Sequence, residues 1–172
     1  MRRTPALLIA LTVLLLAACA GNEVTSPAAS ARKPALQTSP WGPETPHFND
    51  EIILRGDGFG LVKFRQPNDA DRIVYLDVWV RDLVPNTAYN LQRAVDTNVD
   101  DNCTSSGWLT LGKGATPQAI VTDSRGTGRE DLFRNLGATA PGTTFDIHFR
   151  VINAVTSAVV LTSDCYQFTV SQ

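Results

Sequence analysis

Histidine is almost missing from this chain of 172 residues: it has His47 and His148, far apart in the sequence. That scarcity excludes metal centres built on several histidines and leaves any nucleophile without a nearby base. No Gly-x-Ser-x-Gly elbow occurs. The glycine-rich Gly56-Asp57-Gly58-Phe59-Gly60 lacks a Gly-Lys-Ser/Thr ending and no helical pattern follows it, so it reads as a turn. Lysine and arginine form no run, and 15 basic residues face 17 acidic ones. Neither nucleic acid nor anionic lipid would find clustered cations to pair with. No stretch keeps a 3.6-residue period over three turns, which argues against helices. No carboxylate pair is singled out for acid–base work on a glycoside, because such spacing is three-dimensional. The sequence thus designates no catalytic residue and no cofactor, and the expectation is a protein that is not an enzyme.

What is present begins at the amino terminus. Met1-Arg2-Arg3 is a short positive segment, Ala6–Leu16 is apolar apart from Thr12, and Ala17-Ala18-Cys19 follow. Charge, apolar core and small residues in that order make a secretory signal peptide, too short in its apolar part for a comfortable membrane span. Leu16-Ala17-Ala18-Cys19 also resembles the lipobox of bacterial lipoproteins. The resemblance implies cleavage before Cys19, acylation of Cys19 and attachment to a membrane through two or three acyl chains. In that family an aspartate after the cysteine favours the inner membrane. Here Ala20 stands there, which points to the outer membrane if the cell has two. Residues 1–18 are then the signal peptide and 19–47 a tether rich in Pro, Ser and Ala, whose few apolar residues cannot offset the entropy of ordering it. Residues 48–172 form the folded domain. Removing Arg2 and Arg3 from the 15 basic residues leaves 13 against 17 acidic, a net charge of −4.

There are three cysteines. With Cys19 lipidated, Cys103 and Cys165 are the available pair, and export favours a disulfide between them. Closing a loop of about 60 residues is worth about 4 kcal/mol in the chain-entropy model. Two cysteines without nearby histidines make a poor metal site.

After residue 48 the dominant pattern has period two. Phe145, Ile147, Phe149 and Val151 alternate with Asp146, His148 and Arg150 across 143–153. Val74, Leu76, Val78 and Val80 line one face of 72–81, and 159–170 is rich in β-branched and aromatic residues. Shorter strands are expected at 49–55, 61–66, 87–95, 107–111, 118–122 and 130–134. Glycine and proline turns separate them. The expected fold is all-β, an antiparallel sandwich of about eight strands with one disulfide. Leu83-Val84-Pro85-Asn86-Thr87-Ala88-Tyr89 resembles the tyrosine corner of fibronectin type III and immunoglobulin-like domains, carried by Leu83, Pro85 and Tyr89. That resemblance implies an immunoglobulin-like sandwich, and no particular function.

Two stretches carry candidate binding chemistry. Asp96, Asn98, Asp100 and Asp101 could supply the oxygen ligands calcium prefers. The spacing opens like an EF-hand loop but departs from it at Asp101 and Gly107; the other reading is a solvated acidic loop beside the disulfide. Tyr75 and Trp79 lie opposite the apolar face of their strand, about 13 Å apart if extended. They can stack on a sugar or anchor a protein, or be covered by the linker or a loop. The functional expectation is a lipid-anchored binding or structural module for an envelope protein or glycan. The alternatives are a lipocalin-like small-ligand carrier, although Trp41-Gly42 reverses that family's Gly-x-Trp order, and a carboxylate-dependent enzyme.

Overall fold

The computed structural model describes residues 48–171. The signal peptide, Cys19 and the tether of 19–47 lie outside the described residues. The described residues form twelve strands and no helix: β1 (Phe48–Gly56), β2 (Phe59–Gln66), β3 (Ile73–Arg81), β4 (Ala88–Asp96), β5 (Leu109–Thr110), β6 (Gly112–Lys113), β7 (Thr116–Pro117), β8 (Ile120–Val121), β9 (Gly128–Asn135), β10 (Thr144–Asn153), β11 (Val159–Ser163) and β12 (Tyr166–Thr169).

Alternation decides which way each strand faces. In β3, Val74, Leu76, Val78 and Val80 are buried while Tyr75, Asp77, Trp79 and Arg81 face outward. In β2, Val62, Phe64 and Gln66 are buried while Lys63 and Arg65 are exposed. The period-two rule breaks in β10, where Asp146 and Ile152 are buried beside their inward neighbours. A register shift between Val151 and Ile152 accounts for the second. Asp146 is buried because a loop folds over it, as described below.

The expected eight-stranded immunoglobulin-like sandwich does not form. The strands make one sheet in the order β5-β4-β10-β11-β1-β2-β3-β9-β6-β7, with β12 also on β10 and β8 also on β4. That sheet curls into a nearly closed barrel. The physical reason lies in β11. Thr162 pairs with Arg150 of β10 on one side and with Arg55 of β1 on the other, so no gap divides the strands into two sheets. Gly56 permits this junction, since a Cβ there would lie 2.1 Å from the Val160 carbonyl oxygen. Across the barrel, the segment 109–121 bridges β4 and β9. Its β5 and β8 pair with β4, while β6 runs parallel to β9. The 107–111 and 118–122 strands expected from the sequence are here short staples of two residues each.

The interior is filled by side chains. Phe64 meets Phe149 and Phe168 edge-on, with ring centroids 5.9 and 4.9 Å apart, and Leu54, Leu76, Leu91 and Leu161 pack around them, all buried. Gln66 is fully buried yet satisfied. Its amide donates to the Ser171 carbonyl at 3.2 Å and accepts from the Ser171 N–H at 2.9 Å, fastening the C-terminal segment to β2.

Candidate ligand-binding face

The outer face of β1, β2, β3 and β9 is assembled by antiparallel register. Asn49, Arg65, Tyr75 and Phe133 stand abreast in one row, Glu51, Lys63, Asp77 and Asp131 in the next, and Ile53, Leu61, Trp79 and Arg129 in a third. Cross-strand neighbours on one face touch, so these rows are surfaces rather than scattered positions. Tyr75 and Phe133, register partners across β3 and β9, remain 37% and 36% exposed. Trp79 is half-buried, its ring 6.1 Å from Phe59 in an edge-on arrangement. The Arg81 guanidinium lies over both rings, 5.0 Å from Phe59 and 5.8 Å from Trp79. What covers part of Trp79 among the described residues is therefore its own face.

Arg65 repeats the arrangement over Tyr75, 5.3 Å from the ring centre. Beside it lies an open groove of about 310 Å³, lined by Asn49, Lys63, Arg65, Tyr75 and Asp77. Asp77 accepts two hydrogen bonds from Arg129, at 2.9 and 3.0 Å. Lys63 reaches Glu51 only at 3.8 Å, both groups being well exposed. Arg65 has no carboxylate partner among the described residues. Summed over its lining, the groove carries an excess of positive charge although the chain as a whole is acidic.

The acidic loop behaves differently. Asp146, fully buried in β10, accepts the backbone N–H of Asp100 at 2.9 Å and of Asp101 at 2.8 Å through one oxygen. Asp96 accepts the N–H of Thr104 and of Ser105, each at 3.0 Å. Asp100 accepts from the Asn98 amide at 2.6 Å and from the Asn102 N–H at 3.1 Å. The carboxylates of Asp96 and Asp146 thus shape the backbone of 96–105 rather than converge on a point. Among the described residues no three His, Cys, Asp or Glu side chains are grouped so as to hold a metal ion. The Cys103–Cys165 disulfide, with Cα atoms 5.4 Å apart, ties this loop to the break between β11 and β12. Below it, Trp108 lies 4.6 Å from the His148 ring, and the Arg150 guanidinium sits 4.0 Å from the Trp108 ring centre. Arg150 donates to Gln92 at 2.7 Å, and His148 Nε2 is 3.1 Å from the Ser105 carbonyl. Desolvation lowers the Arg150 pKa from the ordinary guanidinium value.

At the opposite end of the barrel, the Tyr89 hydroxyl accepts the Val84 N–H at 3.1 Å, with Tyr89 and Leu83 buried and Pro85 exposed. Thr122 reinforces this corner, its hydroxyl donating to the Val84 carbonyl at 2.7 Å. Asp123 closes the next turn by accepting the N–H of Thr127 and of Arg125, and those bonds hold its pKa below the usual carboxylate value.

The sequence singles out Tyr75 and Trp79 on this face but not their neighbours Phe59, Lys63, Arg65 and Phe133. The signal was there: Phe59, Leu61, Lys63 and Arg65 alternate along one strand and so share a face. It escaped because cations placed one or two to a strand form no run in the sequence. No family model and no curated protein matches the chain.

Proposed function

We propose that this is a lipid-anchored envelope protein whose barrel offers the β1–β2–β3–β9 face to an envelope protein or glycan. The anchor rests on the lipobox-like Leu16–Cys19 behind a signal peptide, with the outer membrane as destination in a cell that has two. The observation that carries the binding reading is the pairing of exposed or half-buried aromatics with stacked arginines on one face: Arg65 on Tyr75, and Arg81 on Phe59 and Trp79. Aromatic residues and arginine dominate the energetics of protein interfaces, and large exposed aromatics are uncommon without a partner.

Crosslinking the full chain in its native envelope, followed by mass spectrometry, tests this. Trp79→Ala is expected to abolish capture of the partner while lowering the melting temperature by only about 4 °C, in keeping with roughly 1 kcal/mol for an edge-on aromatic pair. Undiminished capture by the variant contradicts the proposal.

Near-closure of the barrel favours a lipocalin-like carrier as the second reading. Such a carrier uses the barrel interior, which here is occupied by Phe64, Phe149, Phe168 and their aliphatic neighbours. Binding of an apolar fluorophore, and its displacement by lipid, would promote that reading over the first.

A further inference from the structure

We infer that the groove between β1, β2 and β3 binds an acidic saccharide, whose carboxylate is taken by Lys63 and Arg65. This rests on the reading of the β1–β2–β3–β9 face as the binding surface and names the ligand of that face.

Charge is the first argument. Of the ionisable groups lining the groove, Asp77 is neutralised by the two-point contact with Arg129. Lys63 is held only by a loose, exposed contact with Glu51, and Arg65 by none among the described residues. Arg65, with no carboxylate among the described residues, and Lys63, whose exposed pair with Glu51 is loose, therefore face a groove whose own carboxylate is already paired. An anion is the ligand that answers this, and a guanidinium matches a carboxylate with two parallel hydrogen bonds.

Preorganisation is the second. Stacking on Tyr75 holds the Arg65 plane in place, 5.3 Å from the ring centre, so less side-chain freedom is lost when a ligand binds. Register is the third, because Asn49, Arg65 and Tyr75 stand in a single row. The Asn49 amide and the Tyr75 hydroxyl make no hydrogen bond to other described residues. Together they offer donors and acceptors at the rim, as the hydroxyls of a sugar ring require. A volume of about 310 Å³ in an open groove suits one or two sugar units rather than a buried apolar ligand. An acidic peptide would also use the cations, and its backbone would pair with the amide and the phenol, so a peptide of the same charge is the competitor to compare.

Calorimetric titration of the full chain in detergent with tetragalacturonate and tetramannuronate, and with their neutral methyl esters, tests the inference. At least one acid is expected to bind, with its ester at least tenfold weaker. Arg65→Gln and Lys63→Gln, both at exposed positions, should each weaken the acid at least tenfold with unchanged melting temperature. Absence of binding by both acids, equal binding of acid and ester, or full affinity in Arg65→Gln overturns the inference. Equal affinity for a glutamate-rich peptide of the same charge also overturns it, in favour of an acidic protein. If the acids fail while Trp79→Ala still abolishes crosslinked capture, the saccharide falls and the binding face stands. If capture also survives Trp79→Ala, both fall.

Discussion

The β1–β2–β3–β9 face and the loop region over β10 are built from similar residue types, yet they use them in opposite ways. Each has an aromatic ring stacked by an arginine: Tyr75 under Arg65 on the face, Trp108 under Arg150 by the loop. Over β10 most charged and polar tips are answered within the chain, although one oxygen of the buried Asp146 has no hydrogen-bond partner among the described residues. Arg150 reaches Gln92, Gln92 reaches Thr110, and Asp96 and Asp146 take loop N–H groups. On the face, Arg65 is stacked but has no carboxylate among the described residues, and Tyr75 and Phe133 keep about a third of their surface exposed. A satisfied network stabilises one conformation. Donors and rings held in place without partners leave their interaction energy for something else to collect. The loop region over β10 therefore reads as architecture, and the β1–β2–β3–β9 face is the one proposed for recognition.

The comparison breaks most visibly under mutation of the loop region. Replacing Cys103 and Cys165 by serine should cost about 2–5 kcal/mol in urea unfolding, the range for removing a native disulfide from a small domain. Asp146→Ala should cost about 3 kcal/mol, because two loop N–H groups lose a charged acceptor at once. If both variants unfold like the parent, the loop is not the structural element argued here. On the face the same measurement should move little. Arg129→Gln removes a two-point contact with Asp77 but at a solvent-exposed site, so a loss below about 1 kcal/mol is expected. A larger loss would mean the face is held together by its charges and is less free to serve a partner.

The smallest effect concerns pH. The Asp123 carboxylate has its pKa depressed by the Thr127 and Arg125 N–H groups, so its contribution to stability is full above the ordinary carboxylate pKa. That contribution is lost as pH falls through the lower value in the folded state. Carboxylate NMR titration should place Asp123 below the ordinary value, and Thr127 and Arg125 amide shifts should follow the same transition. A titration at or above the ordinary value would remove this account of the turn.

Strand identity was legible in the sequence where alternation was strong, as in 72–81 and 143–153, and the Cys103–Cys165 pair followed from the expectation of export and from arithmetic. Sheet closure was not. Nothing in Val159–Val170 says that Thr162 will bond on both sides, and that double pairing turns two expected sheets into one barrel. The Leu83–Tyr89 stretch illustrates the limit. Its hydroxyl-to-backbone bond is a local solution to turning the chain, and it serves a barrel as readily as a sandwich. Likewise, within the candidate calcium set Asp96, Asn98, Asp100 and Asp101, the sequence shows the carboxylates but not the N–H groups that Asp96 and Asp100 accept. For the proposed binding face, Tyr75 and Trp79 were legible as outward aromatics. Arg65 and Lys63 were not, since their significance comes from what lies beside them across β1 and β3.

The central claim is that the outer face of β1, β2, β3 and β9 meets the partner and the loop over β10 does not. A photoreactive residue placed singly at Leu61 on the face, or at Ser106 in the loop, in the full chain within its native envelope, tests it most directly. The account predicts a discrete adduct from position 61 and none from position 106. An adduct from 106 with none from 61 would contradict it.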